Sequence, residues 1–256
     1  MPVLNEPEAP TVLILGGTGE ARALAAALHA EGTWRVVSSL AGRVSSPALP
    51  VGEVRIGGFG GPEALAEWLR AEQVAAVVDA THPFAARIST SAAQAAPAAG
   101  VPLLMLRRPG WTAGPDDRWL RVPDMSGASA AVGSLDGPVL LTTGRGGLKV
   151  FADLPHHFVI RTVDPPEPPL PADHIVLLAR GPYTVEGERT LMREHAIRTL
   201  VTKDSGGAMT AAKLAAARDL GVAVVIVDRP AAPAGVTAVA DPAAVLGWLR
   251  EVRPPA

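Results

Sequence analysis

The residues of this chain that could do chemistry stand directly behind runs of aliphatic residues. Thr11–Leu15 (TVLIL) is followed at once by Gly16, Gly17, Thr18 and Gly19. Glycine there permits positive φ and lets an anion reach the backbone with no Cβ in the way. Behind the turn, Glu20–Ala30 has helical composition. The stretch therefore reads as strand, tight turn and helix N-terminus, whose N–H groups and dipole suit a phosphate. Further along, Arg145, Arg180, Lys203 and Arg229 each occupy the turn behind an expected strand. In a parallel sheet all four would open on one edge, a place for a polyanion. The chain as a whole is not basic, since 23 Lys and Arg face 25 Asp and Glu for a net charge of −2. An anionic ligand must be held by a local cluster, and no overall field draws nucleic acid or an anionic membrane.

The glycine turn is an incomplete dinucleotide fingerprint. Gly17-Thr18-Gly19-Glu20-Ala21-Arg22 follows G-x-G-x-x-G at the first two glycines, with Arg22 where the third would pack helix on strand. In NAD-binding folds an acidic residue about 20 positions on holds the ribose 2′-hydroxyl. Here the second strand, Trp34–Leu40, offers Ser38 and Ser39, then Arg43, and no Asp or Glu. Those groups suit a 2′-phosphate, so NADPH is expected over NADH. His82 follows a fourth strand, Ala75–Asp79, at the edge where open α/β sheets bind ligands. It could donate to a ligand, or Asp79, Thr81 and His82 could cap the helix Phe84–Ala99.

These motifs need an α/β frame, and the composition supplies one. Apolar residues make up 48% of the 256, aromatic residues 4% and charged residues 19%, which suits aliphatic strands under Ala-rich helices. The pattern to Leu106 is βαβαβαβαβ. Residues 107–137 are irregular, with Trp111, Trp119 and a short helix over Asp124–Leu135. Pro138–Thr142 and the turn Thr143-Gly144-Arg145-Gly146-Gly147 then echo the first motif. Further strands are expected at Phe158–Val163, Ile175–Ala179, Thr199–Thr202 and Val222–Val227, with a closing helix over Asp241–Val252. The expectation is two Rossmann-like parallel-sheet domains, 1–123 and 124–256, with an interdomain cleft. The absence of cysteine excludes disulfides, thiolate catalysis and Fe–S clusters. With no signal-like start and no apolar run near roughly 18 residues, the cytoplasm is the expected compartment.

With those residues in view, the chain resembles the precorrin-6A reductase family, NADPH-dependent enzymes of the cobalamin pathway. The matching segments are LILGGTGEAR at 13–22, DATHPFAARIS at 79–89, TTGRGGL at 142–148, RGPYTVEGE at 180–188, LVTKDSGG at 200–207, AAKLAAARDLGV at 211–222 and VDRP at 227–230. They span nearly the whole chain. The glycine turn is unspecific, whereas the other motifs together are specific. The 107–137 connector and the Pro-rich loop Asp164–Pro171 depart from the pattern. The resemblance implies reduction of one double bond of the precorrin-6A macrocycle by NADPH, giving precorrin-6B. The partner would be a tetrapyrrole polycarboxylate, handed on to other enzymes of the corrin pathway, with no metal cofactor.

On this basis Gly16, Gly17, Thr18, Gly19, Glu20, Ser39 and Arg43 are assigned to the cofactor. Thr81, His82, Thr143, Gly144 and Arg145 join them. Arg87, Arg180, Gly181, Lys203, Ser205, Gly206 and Arg229 are assigned to the substrate, and Lys203, Asp204 and His82 are the catalytic candidates. Lys203 could give a proton or stabilise charge on the macrocycle. Tyr183 and Phe84 could flank the ring or pack in the core. Two other activities compete: a non-catalytic two-lobed binder of anionic ligands, and the cobalt-precorrin-6A reductase of the anaerobic route. A short-chain reductase is disfavoured, because the lone Tyr183 is followed four residues later by Gly187 and not by Lys.

Overall fold

The computed structural model of the protein describes residues 9–42 and 48–252. They divide into a first unit, drawn from residues up to Pro109 and from Pro230 onward, and a second, Gly110–Arg229. The first begins with β1 (Thr11–Leu15), α1 (Gly19–Glu31), β2 (Arg35–Leu40) and β3 (Glu53–Ile56). It continues with α2 (Pro62–Ala71), β4 (Val74–Asp79), α3 (Ala86–Ala99) and β5 (Leu103–Leu106). All five residues of β1 are buried, as a strand covered on both faces must be. Val12 and Ile14 pack with Leu24 and Leu28 of α1, while Leu13 and Leu15 pack with Leu65 and Leu69 of α2. That alternation is the period of two expected of a strand. Truncating one such side chain, as in Leu13→Ala, would cost about 2–5 kcal/mol.

The second unit holds β6 (Trp119–Val122), α4 (Met125–Gly133), β7 (Val139–Leu141), β8 (Phe158–Thr162) and β9 (His174–Leu178). After these come α5 (Val185–Glu194), β10 (Thr199–Lys203), α6 (Ala212–Leu220) and β11 (Ala223–Val227). The chain then returns to the first unit as β12 (Ala238–Val239) and α7 (Pro242–Val252). Strand order is β12-β5-β4-β1-β2-β3 in the first sheet and β6-β11-β10-β7-β8-β9 in the second, with every pairing parallel. The expectation of two parallel α/β domains thus agrees with the fold. No helix of the described residues is long and apolar enough to cross a membrane.

The division differs from the expected 1–123 and 124–256. Within the connector, β6 pairs with β11, Trp119 opposite Val224 through Val122 opposite Val227, so the second unit starts before residue 123. The closing helix belongs to the first unit, where Val245 and Leu249 are buried with Val12 and Ile14. An apolar helical stripe demands a sheet to cover but does not say which one.

Candidate functional site

In the first sheet the chain runs outward from β1 to β2 and β3, then crosses back to β4 and β5. The order therefore reverses between β1 and β4, the switch point at which open α/β sheets take ligands, and the glycine turn lies there. Gly16 donates its N–H to the Ser39 carbonyl at 2.9 Å, fastening the turn to the end of β2. Gly17 has φ +109°, and a Cβ built on it would meet nothing within 4 Å. This is an open cradle that only glycine adopts without strain. Thr18 is buried and fully engaged: its Oγ1 accepts from Ala21 N at 3.1 Å, capping α1, and donates to the Ala80 carbonyl at 2.8 Å. Gly19 opens α1. Glu20 is ion-paired to Arg108 at 2.6 Å.

Beside this turn a pocket of about 210 Å³ is lined by Gly16, Gly17, Arg22, Ser38, Leu40 and Pro50. Ser38 is 2% exposed, and its Oγ has no hydrogen-bond partner among the described residues. Ser39 is buried next to it. Arg43 lies outside the described residues. An open backbone cradle, a helix N-terminus and an orphaned buried hydroxyl at the end of β2 fit a phosphorylated dinucleotide.

A second crevice, of about 360 Å³, opens at the ends of β4 and β5. Asp79 Oδ1 accepts from Thr81 N at 3.1 Å and from Thr81 Oγ1 at 2.7 Å. His82 Nδ1 accepts from Phe84 N at 3.3 Å, and the two rings lie 5.8 Å apart. The N-cap of α3 is Ala85, which makes no side-chain cap bond, and these bonds of Asp79, Thr81 and His82 order the loop ahead of the helix. Arg87, in the first turn of α3, is exposed.

Because the second sheet is parallel, the turns carrying Arg145, Arg180, Lys203 and Arg229 do share one edge. Lys203 Nζ donates to the Thr143 carbonyl at 2.8 Å, and Thr143 Oγ1 is buried without a partner among the described residues. Arg145 Nη2 is 3.8 Å from Asp164. Gly144 and Gly206 both have positive φ, at 74° and 65°. Ser205 is buried, its Oγ 3.4 Å from Thr210 Oγ1.

The hub of this edge is Asp204, only 3% exposed. Its Oδ1 accepts from Trp111 N at 2.9 Å and its Oδ2 from Arg121 at 2.8 Å, while its carbonyl accepts from Arg229 Nε at 2.7 Å. The Asp204 bond, helped by one from Asp228, raises the pKa of Arg121. A Cβ on Gly110 would come within 2.7 Å of Asp204 Oδ2, so the carboxylate packs against bare backbone. Arg121 escapes sequence reasoning because it sits in the unexpected strand β6.

The loop holding Arg180 and Gly181 rests on a buried charge pair. Arg161 of β8 and Glu188 of α5 meet at 2.7 Å, their side chains 5% and 1% exposed. The Tyr183 ring lies 3.9 Å from the Arg161 guanidinium, and its hydroxyl donates to the Ala179 carbonyl at 2.9 Å. Burial raises the Tyr183 pKa. Tyr183 therefore clamps its own loop down. A Cβ on Gly181 would stand 3.2 Å from that ring. Lys213 of α6 is buried nearby, 5.4 Å from the Trp111 ring. Burial, reinforced by Arg161 and opposed by Glu188, lowers its pKa to about 7. Apart from the segments RGPYTVEGE at 180–188 and AAKLAAARDLGV at 211–222, no sequence signal marks this cluster.

Comparison with known proteins agrees with this architecture. The family model described as precorrin-6x reductase CbiJ/CobK matches residues 11–250. A precorrin-6A reductase of Rhodococcus erythropolis is 52% identical over 239 residues, covering 93% of this chain and 96% of the relative. One from Rhodobacter capsulatus is 45% identical over 243 residues, covering 94% and 96%. A solved structure titled CobK precorrin-6A reductase superposes with a TM-score of 0.88 at 44% identity, covering 95% of this chain and 97% of that one. With the family's motifs in sequence order and its fold in both units, the chain belongs to the precorrin-6x reductase CbiJ/CobK family.

Proposed function

We propose that the chain catalyses the NADPH-dependent reduction of one double bond of the precorrin-6A macrocycle, giving precorrin-6B on the route to cobalamin. The observation that carries this reading is a likeness along nearly the whole chain to relatives named for that reaction. NADPH, as against NADH, is favoured by the lack of an Asp or Glu in β2 and by the unpartnered buried Ser38 hydroxyl. When bound, the cofactor supplies the hydride.

The chain's own residues bind, orient and stabilise charge. Gly16, Gly17 and the start of α1 take the pyrophosphate, with Ser38 and Ser39 toward the 2′-phosphate. Precorrin-6A carries several acetate and propionate arms, and guanidinium groups pair with carboxylates bidentately. Arg180 and Arg229, with Arg121, are the groups for those arms. Asp204 holds Arg121 and Arg229 in place, an anchor and not an acid. Lys203, fixed on the Thr143 carbonyl, stabilises electron density as it moves onto the macrocycle.

The test is anaerobic mixing of the protein with NADPH and precorrin-6A while the absorbance of both is followed. The expected result is loss of one NADPH per macrocycle converted. Binding of NADPH with no oxidation would instead describe a non-catalytic ligand carrier.

A further inference from the structure

The loop between β9 and α5, which carries the exposed Arg180, is laced down by a single side chain. Tyr183 donates its hydroxyl to the Ala179 carbonyl at 2.9 Å, so one bond closes the loop across Arg180. Ala179 is itself fixed, its N–H donated to the Thr162 carbonyl at the end of β8 at 2.9 Å. On the far side Thr184 caps α5, its Oγ1 accepting from Gly187 N at 3.1 Å. Burial raises the pKa of the Tyr183 hydroxyl, which therefore stays a donor at neutral pH. The ring lies 3.9 Å from the Arg161 guanidinium, so that face is closed to a macrocycle. Tyr183 also reaches the loop behind β10. Its N–H donates to the Met209 carbonyl at 3.4 Å, and a Cβ on Gly181 would stand 3.3 Å from the same oxygen. The Arg180 loop is thus set against the loop that follows Lys203, Asp204 and Ser205.

The charge pair beneath the ring is a costly way to build a core. The Arg161 and Glu188 side chains are 5% and 1% exposed, and Glu188 Oε2 has no partner among the described residues. A buried ion pair gains little over apolar residues of the same volume, and an unpaired carboxylate oxygen adds to its cost. What the pair supplies, and apolar residues would not, is a desolvated cation held against an aromatic ring. Glu188 fixes Arg161, Arg161 fixes the Tyr183 ring, and the Tyr183 hydroxyl fixes the Ala179 carbonyl next to Arg180. An arginine on a loose loop would have to be ordered on meeting a carboxylate, at a loss of affinity. We infer that Tyr183, seated on the Arg161–Glu188 pair, is the positioning residue that pre-orders Arg180 for a carboxylate arm of the substrate. This rests on the reading of Arg180 as a substrate group.

The test measures kcat and KM for precorrin-6A, and the dissociation constant of NADPH, in wild type, Tyr183→Phe, Tyr183→Leu, Arg180→Ala and the double variant Tyr183→Phe/Arg180→Ala. Tyr183→Phe keeps the ring on Arg161 and removes only the bond to Ala179, whereas Tyr183→Leu removes both. Tyr183→Phe should raise KM by about threefold or more, and Tyr183→Leu by about tenfold or more. In both, kcat and NADPH affinity should stay within about twofold. In the Arg180→Ala background Tyr183→Phe should change KM by less than about twofold, since a residue acting through Arg180 has nothing left to position. Should Tyr183→Leu fail to fold, Tyr183→Phe carries the test alone. Unchanged KM in Tyr183→Phe, or the same loss with and without Arg180, overturns the proposal. If Arg180→Ala leaves KM at the wild-type value, the reading of Arg180 fails and this inference with it. If Arg180→Ala raises KM and Tyr183→Phe does not, only this inference fails.

Discussion

Lys203 Nζ and the Thr143 carbonyl lie 2.8 Å apart, so the end of β10 is tied to the glycine turn behind β7. The ammonium is thereby fixed at the edge where four strand ends bring cations together. A positioned charge that acts on the transition state affects turnover more than binding. Lys203→Ala should slow single-turnover NADPH oxidation at saturating substrate by about tenfold or more, with substrate affinity little changed. A rate within about twofold of wild type, less than ~0.5 kcal/mol of barrier, would remove Lys203 from the mechanism.

Asp204 gives the opposite expectation. Its carboxylate faces Arg121 and the Trp111 N–H, and Arg229 lies 3.7 Å away. Removing one partner of a buried pair costs about 3–5 kcal/mol. Arg121 is 43% exposed, so screening reduces the expected loss to about 2–3 kcal/mol. Asp204→Asn should lower the urea midpoint and weaken substrate binding together. A variant of normal stability that binds substrate normally but has lost turnover would identify Asp204 as the proton donor.

Gly16 and Gly17 are adjacent but should not be equivalent. A Cβ on Gly16 would make ordinary contacts, the nearest at 3.5 Å, whereas Gly17 has φ +109° and open space around it. Gly16→Ala should keep the fold and most NADPH affinity. Gly17→Val places a β-branched side chain in a backbone region costing about 1–3 kcal/mol and fills the cradle. It should keep native circular dichroism and lose NADPH binding in a fluorescence titration. Normal affinity in Gly17→Val would make the turn structural only.

Lys213 predicts a pH dependence of stability. Its pKa falls from the ordinary lysine value to about 7 in the folded protein, so between those values the unfolded chain binds the extra proton. By linkage its cost to folding is largest at low pH and fades as pH rises from about 7 toward about 10.5, at about 1.4 kcal/mol per unit. The groups around it, Arg161 on β8, Glu188 on α5 and Trp111, are shared by wild type and Lys213→Met. In urea unfolding at pH 7, 8 and 9 the variant should hold an advantage that shrinks with pH. A constant difference would mean that the lysine remains protonated in the fold.

What the sequence made legible follows from local physics. β1 and its turn were readable because five consecutive buried aliphatic residues meet glycines at once. The cation edge was readable because each charge follows directly on its strand. β6 was not, since WLRV is four residues long, Leu120 is 50% exposed, and its partner β11 lies about a hundred positions away. Arg121 was lost with it. Arg161 and Glu188 carried the ordinary look of surface charges, and only the packing of α5 on β8 buries them as a pair. The role of Ser38 depends on an oxygen left without a partner among the described residues, which no sequence pattern records.

The proposed reaction transfers a hydride from NADPH to the macrocycle. The most direct measurement is an anaerobic single turnover with NADPH dideuterated at C4 of the nicotinamide, followed by mass spectrometry of the tetrapyrrole. The expected result is one deuterium and one solvent hydrogen gained per macrocycle, with one cofactor oxidised. A macrocycle of unchanged mass, or one reduced without deuterium, would contradict it.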